Sequence, residues 1–302
     1  MTMTIALAGK GGTGKTTIAA LIIRYLVEER QGSVLAIDAD PASNLNMVLG
    51  MEVRETIGGI REEMLDMVQS SGALAGSLPG GMSKQEYLDY QVQMALVEGE
   101  RVDLITMGRP EGLGCYCAAN QMLRLIVDRL AKQYDYVVID NEAGMEHLSR
   151  RTTRDVDVLL LVTDPTRRGL VTAGRMRDMV PGLDIGVGRM VLVVNRVRET
   201  ARNRPPPCPP AGGGEWGGGR GAGGEGLGSG GAEGLPAPLA EAVKQSGLEL
   251  IGTVPDDAAM AEFEFTGRPL VELPAETAVY RAVREIAGRI MAKVDVVNNL
   301  HM

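Results

Sequence analysis

The chain has 302 residues, with 39 acidic against 31 basic side chains and a net charge of −8, which argues against sequence-independent binding of nucleic acid over its whole surface. Its longest apolar runs, such as residues 156–162, suit buried strands and are far too short to cross a bilayer. Three cysteines in a chain this long point to a reducing compartment rather than a disulfide scaffold; with no basic-then-apolar leader pattern, the cytoplasm is the expected location.

Residues 4–17 read TIALAGKGGTGKTT: a short apolar run, then Gly9, four residues, Gly14, Lys15 and Thr16, with an apolar helical pattern from Ile18 to Arg30. That is strand, phosphate loop and helix, the context that gives a P-loop motif its meaning. Gly9, Gly11, Gly12 and Gly14 let the backbone of the loop, through Thr13 to Thr17, curl so that successive N–H groups face phosphate oxygens. The N-terminus of the following helix adds a favourable dipole. Lys15 is expected to reach the β- and γ-phosphates of a nucleotide and the Thr16 hydroxyl to ligate Mg²⁺.

A second strand is expected over 33–37, closed by Asp38, Ala39, Asp40 and Pro41, with its carboxylates where doubly wound sheets bind ligands. Residues 56–68 and 83–97 read as helices separated by a Gly/Ser-rich break, and no residue type there names a ligand. A third strand over 102–107 leads into a glycine-rich loop and then Cys115-Tyr116-Cys117, just ahead of a half-buried helical pattern over 120–134. Two thiols at the edge of a helix N-terminus favour thiolate. A structural Zn²⁺ generally takes four ligands, and Cys208, His147 and His301 stand elsewhere, so a second copy of the pair across a two-fold axis is the simplest completion. Thiolates suit tetrahedral Zn²⁺, and Ni²⁺ accepts planar geometry. A Cys-x-Cys can also be two buried small residues or a redox pair without metal.

Residues 136–139 form a further expected strand ending in Asp140, the Walker B arrangement in which a carboxylate holds Mg²⁺. Strands over 156–162 and 189–194 flank a helix over 168–180, and Asn195 closes the second with an amide able to donate and accept. Residues 199–238 are proline- and then glycine-dominated; such a stretch cannot bury enough apolar surface to offset its ordering entropy and reads as a disordered insertion in one domain spanning 1–302. A helix over 239–245, a strand over 248–254 and an amphipathic helix over 276–294 complete the chain. The pattern predicts an α/β doubly wound, mainly parallel sheet of about seven strands with helices on both faces.

Lys10 beside the first glycine gives Lys-Gly-Gly-x-Gly-Lys-Thr, which resembles the deviant-Walker ATPases: nitrogenase iron protein, the MinD and ParA partition ATPases, and metal-insertion factors. The resemblance implies a homodimer sandwiching two ATP molecules, with Lys10 crossing to the nucleotide of the other subunit. It places Asp40 in switch I, orienting the attacking water, and Asp38 nearer the Mg²⁺ shell. It matches Asp140 to Gly144 to the family's Asp-x-x-Ala-Gly, gives Asn195 the adenine edge, and puts Pro255-Asp256-Asp257 in the loop beneath adenine. Within the family, Cys115-Tyr116-Cys117 looks most like the CooC-type ATPases that mature nickel-containing carbon monoxide dehydrogenase. That implies Ni²⁺ or Zn²⁺ at the dimer interface and a nickel-enzyme client. The final helix is followed by no basic or aromatic cluster, so packing against the sheet is expected rather than membrane anchoring. Two other readings fit the same motifs: a metal-free partition or positioning ATPase, and an iron–sulfur reductase.

Overall fold

The computed structural model describes residues 2–40, 42, 44–70, 82–108, 125–142, 155–183, 185–198 and 235–299, the side chains of 65–70 and 294–299 apart. Seven strands form one sheet: β1 (Met3–Gly9), β2 (Val34–Ala39), β3 (Val102–Thr106), β4 (Tyr136–Asn141), β5 (Asp155–Thr163), β6 (Gly186–Val197) and β7 (Glu249–Pro255). Their order is β3-β2-β4-β1-β5-β6-β7, and every neighbouring pair is parallel. The helices are α1 (Lys15–Glu28), α2 (Leu45–Leu49), α3 (Ile57–Ser70), α4 (Lys84–Ala95), α5 (helical over 125–131), α6 (Arg167–Met179), α7 (Ala237–Ser246), α8 (Ala258–Thr266) and α9 (Ala278–Asn299).

Strands of a parallel sheet are covered on both faces, so they read as unbroken apolar runs. In β1, Ile5 and Leu7 join one core with α1 and α9, while Ala6 and Ala8 join the other with α3, α4, α6 and α7. The strand is thus bulky toward the helix that carries the phosphate loop and small toward the opposite layer. In α1, Ile18, Leu21, Ile22 and Leu26 are fully buried. The last helix lies against β7 and α1, with Val279, Val283, Ile286 and Ile290 inward. Its Tyr280 hydroxyl donates to Glu28 Oε2 over 2.7 Å, and the Arg24 guanidinium stacks 4.0 Å above the same ring.

Several boundaries move from the sequence expectation. Asp38 and Asp140 lie inside β2 and β4, paired rung to rung, where the patterns ended both strands at the preceding isoleucines. Residues 237 and 238, expected in the insertion, open α7 behind Pro236; the insertion's residues 199–234 lie outside the described residues. Two helices were not expected, α2 and α8. The α4 N-terminus is a capping box: Glu86 N–H donates to Ser83 Oγ and Ser83 N–H to Glu86 Oε2. No helix among the described residues is long and apolar enough to cross a membrane.

Candidate active site at the C-terminal edge of the sheet

Because all seven strands run the same way, the loop after β1 and the ends of β2, β4, β6 and β7 share one edge. The loop leaves β1 at Gly9, where a Cβ would collide with the Val162 carbonyl of β5. It then folds on itself: the Lys10 carbonyl accepts from Thr13 Oγ1 over 2.8 Å and from Thr13 N–H over 3.4 Å. Gly14 takes the left-handed conformation (φ 88°) and starts α1 without a side-chain cap. The first amide to bond within the helix is that of Ile18, to the Gly14 carbonyl. The amides of Lys15, Thr16 and Thr17 therefore meet the positive end of the helix dipole with no capping side chain, an arrangement made for phosphate. Gly11 and Gly12 are exposed at the crown of the loop, Thr13 and Lys15 are buried, and Lys10 is exposed.

Beside this loop sits a cluster of carboxylates fixed by strand register. Leu7 pairs with Asp140, and Asp140 with Asp38. The Thr16 hydroxyl donates to Asp140 Oδ2 over 2.5 Å, tying helix α1 to β4. The other oxygen of Asp140, Oδ1, is buried without a hydrogen-bond partner among the described residues. Burial foremost, opposed by the Thr16 hydrogen bond and aided by the charge of Asp38, pushes Asp140 up to about 7. Burial likewise raises Asp38 to about 6, against the backbone hydrogen bonds it accepts. A buried carboxylate oxygen lacking a partner among the described residues, on a side chain bonded to a threonine hydroxyl, suits a hard divalent cation such as Mg²⁺. Thr16 and Asp140, the residues expected to hold Mg²⁺, are brought together by this hydrogen bond. Asp38 is placed differently: its Oδ1 accepts from Asp40 N–H (3.1 Å) and its Oδ2 from Leu45 N–H (3.0 Å). Its carboxylate thereby starts α2 and holds the intervening loop, one rung across the sheet from Asp140.

Asp40 stands in that loop, half-buried, with Oδ1 accepting from Ala42 N–H over 2.8 Å. Asn141, which no motif singled out, is buried and donates to the Leu7 carbonyl over 2.9 Å, locking β4 to β1 beside the cluster.

At the far end of the edge the polar groups are engaged. Asn195 is buried, and its Nδ2 donates to the Thr13 carbonyl over 2.8 Å. Its Oδ1 accepts from Arg196 N–H over 2.8 Å. Asn195, expected at adenine, thus bonds the phosphate loop with one of its two amide N–H groups. Asp256 pairs with Arg198 at 3.1 Å, and its N–H bonds the Val197 carbonyl. Pro255 ends β7. Asp257 caps two helices at once: Oδ1 accepts from Ala259 N–H, and Oδ2 from Ala278 and Val279 N–H. An aspartate just ahead of Ala258 is an N-cap signal that the sequence carried. Cys115, Cys117, His147 and residues 143–144 lie outside the described residues.

Residues 4–205 match the family model described as the CobQ/CobB/MinD/ParA nucleotide binding domain. An uncharacterized ATP-binding protein of Methanocaldococcus jannaschii, MJ0685, is 40% identical over 291 residues, 96% of this chain and 99% of the relative. The carbon monoxide dehydrogenase accessory protein CooC of Rhodospirillum rubrum is 30% identical over 199 residues, 65% of this chain and 74% of that one. Among solved structures, the septum site-determining protein MinD of Pyrococcus horikoshii, complexed with Mg-ADP, superposes with a TM-score of 0.59 at 20% identity, covering 96% of each chain.

Proposed function

The chain belongs to the CobQ/CobB/MinD/ParA nucleotide-binding family, and from that premise we propose that it is a Mg²⁺-dependent ATPase that works as a homodimer and delivers Ni²⁺ or Zn²⁺ to a nickel-enzyme client. The observation that carries the ATPase half is the carboxylate cluster, with Asp140 Oδ1 buried and, among the described residues, unpartnered beside Thr16 at the mouth of an uncapped helix. The amides of residues 15–17 and the Lys15 ammonium hold the phosphates. Thr16 and Asp140 hold the cation, which when bound neutralises charge on the phosphate oxygens. Asp40, on the loop that Asp38 anchors, orients the attacking water. Exposed Lys10 reaches the nucleotide of the partner subunit and makes dimerisation depend on the triphosphate.

The metal-delivery half rests on Cys115-x-Cys117 and on the similarity to the CooC accessory protein. Two subunits would supply four thiolates, the number a closed tetrahedral site takes. Loss of the γ-phosphate contacts would relax the loop at Asp40 and the segment after Asp140, altering the shared thiolate site. The test is metal content per dimer with ATP, with ADP and without nucleotide, in the wild type and in a Cys115→Ser/Cys117→Ser variant. About one ion per wild-type dimer and none in the variant is expected; equal metal in both would overturn the delivery reading and leave the ATPase reading standing.

A second reading is a positioning ATPase that carries no metal, supported by the likeness of the fold to MinD over nearly the whole chain. Nucleotide-dependent sedimentation with phospholipid vesicles, in protein stripped of metal, would favour it.

A further inference from the structure

Asn141 stands where the phosphate loop, the Asp40 loop and the strand of Asp140 take root. We propose that it is a positioning residue for the divalent cation: its side-chain amide ties the ends of β1 and β4 together and so keeps the Asp140 carboxylate within reach of Thr16, where both can hold Mg²⁺. This rests on the nucleotide and cation reading of the site.

Three observations carry it. The first is register. The β1–β4 ladder has its last rung at Leu7 and Asp140, while the β2–β4 ladder runs one residue further, to Ala39 and Asn141. The second is the bond that crosses where β1 and β4 stop pairing. Asn141 Nδ2 donates to the carbonyl of Leu7, the β1 member of that last rung, over 2.9 Å. Leu7 lies two residues before Gly9, where the phosphate loop leaves β1, and Ala39 lies one residue before Asp40. Asn141 therefore joins the roots of both loops to the strand that carries Asp140, by its backbone on one side and its side chain on the other. The third is the setting. Side chains alternate along a strand, so Asn141 shares the face of Ile139, in the core that Ala6, Ala8 and Ala39 join, while Asp140 turns to Thr16 on the other face. Asn141 is 1% exposed, and its Oδ1 has no hydrogen-bond partner among the described residues. Burying an amide in an apolar layer costs free energy that a leucine of the same shape would not. Packing alone gives no reason for an amide here; the bond to Leu7 does.

The physical consequence concerns the cation. Mg²⁺ demands its oxygens at narrow distances and near-ideal angles. The two that the chain offers come from different elements, Thr16 from α1 and Asp140 from β4. Helix α1 follows directly on the phosphate loop and so on β1, and the separation of the two oxygens follows the separation of β1 and β4 at their ends. The Asn141–Leu7 bond fixes that separation. Removing it loosens the cation's ligands relative to each other, while the amides of residues 15–17 and Lys15, all on α1, keep their hold on phosphate.

The experiment is isothermal titration with ADP, first in chelator and then with Mg²⁺, for wild type, Asn141→Leu and Asn141→Ala. The leucine keeps the volume of the side chain and removes both polar ends; the alanine removes the volume as well, and either variant serves if the other does not fold. Circular dichroism and melting temperature establish which variants are folded. The readout is the factor by which Mg²⁺ tightens ADP. It is expected to fall in both variants, on the order of tenfold, with ADP affinity in chelator unchanged. A factor equal to that of wild type in a folded variant would overturn the proposal and leave Asn141 a packing residue. An equal loss of ADP affinity with and without Mg²⁺ would also overturn it, by moving the effect to the phosphates. A wild type whose ADP affinity does not respond to Mg²⁺ would overturn the cation reading beneath it.

Discussion

The two ends of the same sheet edge differ in how their polar groups are satisfied. Around β1, β2 and β4, Asp140 Oδ1 is buried without a partner among the described residues, two carboxyls titrate well above their ordinary range, a helix begins without a cap, and a lysine is exposed. Around β6 and β7, Asn195 is bonded at both ends of its amide, Asp256 is paired, and one aspartate closes two helix N-termini. Buried polar groups are ordinarily satisfied, so an exception beside a phosphate loop is a place for something else to complete the structure. The unfinished end leaves groups for a ligand to complete, while the groups described at the finished end already bond within the protein. A strand-by-strand reading of the sequence assigns both ends to the nucleotide, and the hydrogen bonds of the two ends differ.

The largest expected effect is at the unfinished end. Lys15→Ala should lower the rate of phosphate release by a hundredfold or more, roughly the loss from removing one preorganised charge stabiliser, while its melting temperature stays close to wild type. Undiminished hydrolysis would place the phosphates elsewhere.

Next comes pH. Asp140 at about 7 and Asp38 at about 6 both lie above the 3.8 of a free aspartate. Between pH 4 and 7 the folded chain, free of divalent cation, therefore holds protons that the unfolded chain has released. Stability is then greatest below that window and falls as pH rises through it, by roughly a few kcal/mol for the pair. Melting curves from pH 5 to pH 8 in chelator should show the decline, and Asp140→Asn should flatten it. A decline of the same size in Asp140→Asn would assign it to the chain's overall negative charge.

At the finished end, Asp257→Ala removes the cap from α8 and from α9 and should cost about 1–2 kcal/mol in chemical denaturation, with Asp257→Asn recovering most of it. Affinity for pyrophosphate should not follow. The smallest effect belongs to Arg198→Ala: the ion pair with Asp256 has the arginine side chain 87% exposed, and its loss should change stability by less than about 0.5 kcal/mol. A larger effect on nucleotide affinity than on stability would move that pair out of the scaffold.

Much of this architecture was legible in the sequence because it is written in short range. The apolar runs of β1, β4 and β5 are long enough to declare buried parallel strands, and the spacing of Gly9, Gly14, Lys15 and Thr16 declares the loop between strand and helix. The two missed helices failed for different reasons. Five residues of α2 are too few for a helical period, and its start is set by Asp38 accepting from Leu45 N–H, a contact that needs β2 in place first. In α8, Phe263 and Phe265 are two apart, which looks like strand alternation; the fold buries Phe263 and leaves Phe265 92% exposed. Asn195 was legible as a candidate position, while the bonds its amide makes were not. Its partner, the Thr13 carbonyl, is 182 residues away, and no local pattern states which way an amide at a strand end will turn.

The central claim is that a magnesium nucleotide and a second subunit together complete the unfinished end. Sedimentation velocity of the wild type and of Lys10→Ala, each with saturating Mg-ATP, tests it most directly. The wild type is expected to sediment as a dimer, and Lys10→Ala as a monomer that still binds ATP. A wild type that remains monomeric with nucleotide bound would contradict the claim.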